Sequence, residues 1–313
     1  MAARYREVPA NWDDIKDKVT TLPEQIADFL LYKYDKVFFY DTCSFREHSN
    51  LLAGDVDFIL DYIKQEHGTV VITRCILMEL ASESGRLNPE YINLINRMVN
   101  IHGLKVIVMN EEDLFTVLSE PFSSTEKINE YLMWAVRMLK IPTSTIRFTL
   151  DHDDSLRRRL VDGKGLASKN LYEEFFKEVR SQKVASDNLG EKLLAICLHI
   201  MSHVPGTHDY KYHVLTEDKG ARAVINDLFE KTNEQFAGSQ ILIYSTPRLV
   251  QRIIELGLIS DKNAIARILG NGINRKIKVY AALPHEFIFS GHTFDAAELA
   301  ELLLTPSGID VRF

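Results

Sequence analysis

At 313 residues, with 46% hydrophobic and 26% charged side chains, the chain can bury a full core and has the balance of a folded globular protein, which excludes a largely disordered one. Its net charge of -7 excludes a generic nucleic-acid coat, because affinity for phosphates rests on positive potential. Apolar runs such as 193–198 and 241–244 fall far short of the roughly 20 residues that span a bilayer. No apolar stretch follows Arg4 and Arg6, so no secretory signal is expected and the expected location is cytoplasmic.

Residues 1–34 read as a helical N-terminal extension, with Ile15 to Val19 and Gln25 to Leu31 as its apolar parts and Pro23 between them. Val37 to Tyr40 is the first of five short apolar, strand-favouring runs, and it ends directly on Asp41. Asp55 to Gln65 places Phe58, Ile59, Tyr62 and Ile63 on one helical face. Val70 to Ile72 is the second run, followed by Glu79 inside the apolar segment Ile76-Leu77-Met78-Glu79-Leu80. Tyr91 to Val99 repeats the helical pattern with Ile92, Ile95 and Val99, and Val106 to Met109 is the third run. Residues 111–183 are too long for one crossover; helices at Ile128 to Leu139 and Leu171 to Val179 predict an inserted helical lobe.

Asp187-Asn188-Leu189-Gly190-Glu191 then opens a helix whose Leu189, Leu193, Ile196, Cys197 and Ile200 share a face. His213 to Leu215 is the fourth run, leading into Thr216-Glu217-Asp218. Ile241 to Tyr244 is the fifth, followed by a helix carrying Leu249, Ile253, Ile254 and Leu256. Residues 256–313 form a C-terminal extension with a strand at Ile277 to Ala281 and a helix at Phe294 to Leu304. The runs do not alternate polar and apolar, as strands buried on both faces do not. Their alternation with helices predicts an α/β fold: a doubly wound parallel sheet of about five strands with right-handed crossovers.

In such sheets the working residues gather outside the carboxyl ends of the strands. Asp41 and Asp218 are placed there, and Glu79 and Asp187 lie on or at the start of the helices that follow. Crowded carboxylates repel and raise one another's pKa unless a cation lies between them, and oxygen donors suit the hard ions Mg²⁺ and Mn²⁺. Each acid also has a structural account: Asp187 as a helix cap, Asp218 as a turn residue before Gly220, Glu79 as a solvent-facing helix acid. Asp41 is the hardest to explain that way, since a carboxylate after a buried strand needs a partner. Glu191, four residues after Asp187, shares its helix face.

These pieces, in this order over roughly residues 33 to 255, resemble the PIN-domain nucleases, metal-dependent ribonucleases related to the flap endonucleases. The resemblance implies a three-layer α/β/α nuclease domain at 35–255 with a helical insertion at about 111–183. It implies Mg²⁺ or Mn²⁺ as cofactor, Asp41, Glu79, Asp187 and Asp218 as catalytic residues and metal ligands, and Glu191 as a further ligand. Thr42 and Thr216 would orient the carboxylates. Metal-activated water would cleave RNA internally, leaving 5'-phosphate and 3'-hydroxyl ends. A single-stranded or structured RNA is the implied substrate, and a toxin-like role would bring an antitoxin or a homo-oligomer as partner. A flap-type DNA nuclease and a non-catalytic interaction module are the competing expectations.

Residues 157–183 hold eight basic side chains against four acids, and 262–278 hold five against none. Arg157, Arg158, Arg159 and Lys164 are the expected nucleic-acid contacts. His199 and His203 have a zinc-like spacing without an HExxH pattern, and Cys43, Cys75 and Cys197 are far apart and odd in number. Surface or core histidines and buried reduced thiols are therefore expected.

Overall fold

A computed structural model describes residues 5–139, 144–185, 187–233, 238–270, 276–284, 286 and 288–313. Helix α1 (Pro23–Asp28) runs on through a wider π turn, Phe29–Lys33. The expected helix at 15–19 is absent: a short 3-10 turn, Trp12–Asp14, leads through turns to Thr20. The Thr20 amide donates to the Val106 carbonyl at 2.9 Å, and its carbonyl accepts from Val108 at 3.0 Å. The extension thus covers the open edge of an outer strand, which would otherwise expose unpaired backbone groups.

The first half of the chain gives β1 (Lys36–Tyr40), α2 (Thr42–Ser49), α3 (Ala53–Gln65), β2 (Gly68–Thr73), α4 (Arg74–Leu80), α5 (Pro89–Asn96) and β3 (Val106–Met109). Five helices follow, α6 (Leu114–Ser119), α7 (Thr125–Leu139), α8 (Thr145–His152), α9 (Asp154–Leu160) and α10 (Leu171–Ser181). Then come α11 (Leu189–Ser202), β4 (Tyr212–Leu215), α12 (Lys219–Asn233), β5 (Leu242–Tyr244) and α13 (Thr246–Glu255). The chain closes with α14 (Lys262–Gly270), β6 (Ile277–Ala282), β7 (Ser290–Phe294), α15 (Ala296–Leu304) and β8 (Asp310–Val311).

β1 to β5 form one all-parallel sheet in the order β3-β2-β1-β4-β5. Alternate residues of each strand serve opposite cores. Val37, Phe39, Val71, Ile107 and Val214 pack with α1, α6, α7, α10, α11 and α12. Phe38, Tyr40, Val70, Ile72, Val108 and Leu215 pack with α3, α5, α13, α14 and α15. The architecture is three-layer α/β/α, as expected from unalternating apolar strands. Both the inserted helices and the C-terminal extension share a core with the sheet, and the extension adds a small antiparallel sheet in the order β7-β6-β8.

Two helix faces differ from expectation. α5 buries Tyr91, Leu94 and Ile95, and Met98 follows them inward, whereas Ile92 and Val99 are half-buried; a π turn at Arg97–Ile101 widens the spiral and rotates its later residues. α3 turns Val56, Ile59, Leu60, Tyr62 and Ile63 inward and leaves Phe58 half-buried. α11 is buried nearly all round, so one apolar face understates it.

His213 stacks between Phe38 and Tyr244 with ring centroids at 4.7 and 5.5 Å, and burial pushes its pKa down to about 3. The unfolded chain takes up this proton below about pH 6.5 while the folded chain does not, so acidification removes stability from there down to about pH 3. Replacing His213 by Phe should remove that dependence. Between pH 7.5 and 5, His213→Phe should gain about 2 kcal/mol relative to wild type in urea unfolding. Parallel pH profiles would contradict this.

Candidate active site

The parallel register sets β1 beside β4, with Tyr40 opposite Leu215, so the residues that follow each strand meet on one edge. Asp41 opens α2 as its N-cap residue and is almost fully buried. Its Oδ1 accepts from the Thr42 amide at 2.7 Å, and its Oδ2 accepts from Thr216 Oγ1 and Cys43 Sγ, both at 2.8 Å. Thr216 is itself fully buried and accepts from the Asp218 amide at 3.1 Å. Thr42 Oγ1 donates to Glu79 Oε2. The two threonines therefore hold neighbouring carboxylates, the placement expected of them.

Glu79 comes from the last turn of α4, which leaves β2 at the same edge. The first turn of α11 passes directly over it. A Cβ on Gly190 would lie 2.6 Å from Glu79 Oε1, so any other residue here would make the Glu79 carboxylate shift. Glu191, the next residue, faces Asp218, Asp41 and Glu79; burial first and then these acids push its carboxyl up to about 8. Asp218 is exposed, with Oδ1 accepting from the Gly220 amide. Gly190→Ala should displace the Glu79 carboxylate from Thr42 and Lys183 and cost about 1 kcal/mol, the net worth of a hydrogen bond. Unchanged thermal stability would show that the approach is not tight.

Asp187 occupies a different place in this arrangement. Its Oδ2 accepts from Thr145 Oγ1 at 2.8 Å and the Val184 amide at 3.1 Å, and its Oδ1 accepts from Lys183 Nζ and, at 3.3 Å, the Leu189 amide. Although burial opposes it, the Lys183 bond holds the Asp187 carboxyl below its usual range. The same ammonium lies 2.9 Å from Glu79 Oε1 and is 2% exposed. Burial alone would lower the Lys183 pKa, but Glu79 and Asp187 outweigh it and raise it. Tyr5 covers Lys183, with the ammonium 5.1 Å from the ring centroid.

The sequence pattern placed Lys183 in a substrate-facing basic stretch, whereas its charge is spent on two acids of the site. Arg180 is likewise buried among Glu7, Glu111 and Glu112, and Arg159 pairs with Glu174. Arg157, Arg158 and Lys164 remain exposed. Sequence reasoning also missed Glu217. Its Oε1 accepts from the Thr246 amide at 2.6 Å and from Thr246 Oγ1 at 2.7 Å, which fixes the start of α13. Thr246 Oγ1 in turn accepts from His48 Nε2 at 3.1 Å, and His48 Nδ1 accepts from Tyr40 at 3.0 Å. Burial lowers His48 to about 4, in keeping with that neutral tautomer. Adjacency of Glu217 to Asp218 was the one available signal.

The structure brings Asp41, Glu79, Glu191 and Asp218 to one edge, with Asp187 joined to Glu79 through Lys183. Among the described residues, no three His, Cys, Asp or Glu side chains are gathered tightly enough to hold a metal ion. His199 on α11 and His203 directly after it are buried, with ring centroids 4.5 Å apart. Cys75 and Cys197 are buried free thiols, and Cys43 is a half-buried one. Among the described residues no helix is long and apolar enough to cross a membrane. No protein-family model matches the chain, and no curated protein and no solved structure matches it.

Proposed function

We propose that the chain is a PIN-like, divalent-metal-dependent nuclease that cleaves RNA internally. The observation that carries this reading is the meeting of Asp41, Glu79, Glu191 and Asp218 at the carboxyl edge of a parallel sheet, where burial and then these neighbours push Glu191 up to about 8. An oxygen-only set of crowded carboxylates fits a hard ion, Mg²⁺ or Mn²⁺. Asp41, Glu191 and Asp218 stand too far apart to hold it as they are and would have to draw together around it, with Glu79 joining if Lys183 yields. Such an ion, when bound, activates water and stabilises charge on phosphorus oxygens.

The chain's own residues supply the order around that chemistry. Thr216, Cys43 and the Thr42 amide fix both oxygens of Asp41, and Thr42 fixes one oxygen of Glu79. Lys183 pairs with both Glu79 and Asp187, and its bond holds the Asp187 carboxyl below its usual range. Exposed Asp218 leaves the site open to a phosphodiester. The test is incubation of labelled single-stranded RNA, single-stranded DNA and flap DNA with Mn²⁺ or with chelator. Internal, Mn²⁺-dependent cleavage of RNA supports the proposal. Cleavage confined to the flap substrate would favour the flap-type DNA nuclease, and no cleavage of any substrate would favour the interaction module.

A further inference from the structure

We propose that a cleft between the sheet edge and the C-terminal extension binds single-stranded nucleic acid; this rests on the nuclease reading and names where its substrate strand lies. The cleft has a volume of about 420 Å³ and runs along β5, from Ile241 to Tyr244. β5 is the outermost strand, paired only with β4 in the sheet order. The opposite wall is built by Tyr280 on β6, by Phe289, and by Arg312 beyond β8. Arg222 and Arg248 complete it, so the lining holds three arginines, of which Arg248 and Arg312 also pair with Asp310 just outside it, at 3.3 and 3.6 Å. One acid against three arginines leaves the cleft with a positive balance in a chain of net charge -7.

The arginines are arranged with aromatic rings. The Arg222 guanidinium lies 5.5 Å from the Tyr280 centroid and 4.8 Å from that of Phe313, and the Arg312 guanidinium lies 4.6 Å from that of Phe289. Tyr280 and Phe289 are 6.1 Å apart and inclined at 35°. Tyr280 is 39% exposed, so part of its ring is open to a ligand. Guanidinium groups that follow a phosphate backbone beside exposed rings on which bases stack are the two elements of a single-strand site. A double helix keeps its bases stacked on one another and cannot use the rings.

The cleft begins one helical turn from the acidic edge. The Arg222 amide donates to the Asp218 carbonyl at 3.1 Å, so one turn of α12, about 6 Å of rise, separates the acid from the arginine. Tyr244, at the other wall, is followed by Ser245 and by Thr246, which Glu217 holds. A strand seated on Tyr280 and Phe289 with its phosphates on Arg222 and Arg312 enters the site past Asp218. The positive cleft offsets the repulsion that the acidic edge exerts on phosphate.

The test is binding of a fluorescein-labelled 12-nucleotide single strand, RNA or DNA, to the full chain in EDTA across a salt series, with a blunt duplex as competitor. EDTA separates binding from cleavage, so a chain that binds but never cleaves would fail the nuclease reading while leaving the cleft intact. Arg222→Ala with Arg312→Ala should weaken binding by at least about tenfold and flatten the log–log salt slope by about 1.4, for two lost phosphate contacts. Tyr280→Ala should weaken it about tenfold with the slope unchanged, and Tyr280→Phe should bind like wild type. Wild-type binding by the arginine pair and by Tyr280→Ala would overturn the proposal, as would equal loss by Tyr280→Ala and Tyr280→Phe. So would equal competition by duplex, or loss on replacing Arg157, Arg158 and Arg159 alone. Preference for an extended peptide along β5 would also overturn it.

Discussion

Asp41→Asn should reduce Mn²⁺-dependent cleavage by more than about 100-fold, the loss already caused by removing an outer partner of a metal ligand. The amide keeps an oxygen for the Thr42 amide, and the Thr216 hydroxyl can turn to accept from the new NH₂ group, so the local hydrogen bonds survive. What is lost is the charge. Without a cation, Asp41 is one of the acids that push Glu191 up, so its removal should leave thermal stability in EDTA unchanged or higher. Wild-type turnover by purified Asp41→Asn would remove the residue from the chemistry. A large fall in stability would instead make it a structural cap of α2.

Lys183→Met should lower stability in EDTA by about 3 kcal/mol, because removing one partner of a buried ion pair leaves the other charges uncompensated. Glu79 and Asp187 would then face each other with only Thr42 and Thr145 hydroxyls and backbone amides to hold them. Mn²⁺ should restore more stability to this variant than to wild type, since Glu79 is released from the ammonium and binding to the folded state shifts the unfolding equilibrium. Equal melting of variant and wild type in EDTA would mean that the lysine is only a neighbour of the two acids.

The parallel sheet was legible because its strands carry unbroken apolar runs, and strands parallel by crossover must deliver Asp41 and Asp218 to the same edge. Glu191 followed from a helix start next to that edge, and Glu79 from the short helix after β2, on whose last turn it lies. Lys183 could not be read in this way: a lysine in a basic stretch has the pattern of a solvated face, and only the fold shows that its loop folds back over Glu79. The same holds for Arg180, whose partners Glu7, Glu111 and Glu112 lie 173, 69 and 68 residues away in sequence. Asp187 and Glu191 sit on one helical repeat, yet the loop from 183 turns Asp187 toward Lys183 and leaves Glu191 toward Asp218. Periodicity gave the residues but not that division of roles. The N-terminal extension was misread at 15–19 because apolar spacing cannot register an unsatisfied strand edge, which Thr20 satisfies.

The claim that the acidic edge is a metal site is tested most directly by the anomalous diffraction of crystals soaked in Mn²⁺. The proposed chemistry requires a manganese peak within coordination distance of Asp41, Glu191 and Asp218 carboxylate oxygens, and no such peak in crystals of Asp41→Asn. A fully occupied soak with manganese bound elsewhere on the surface, and those three carboxylates still facing one another without it, would contradict the account.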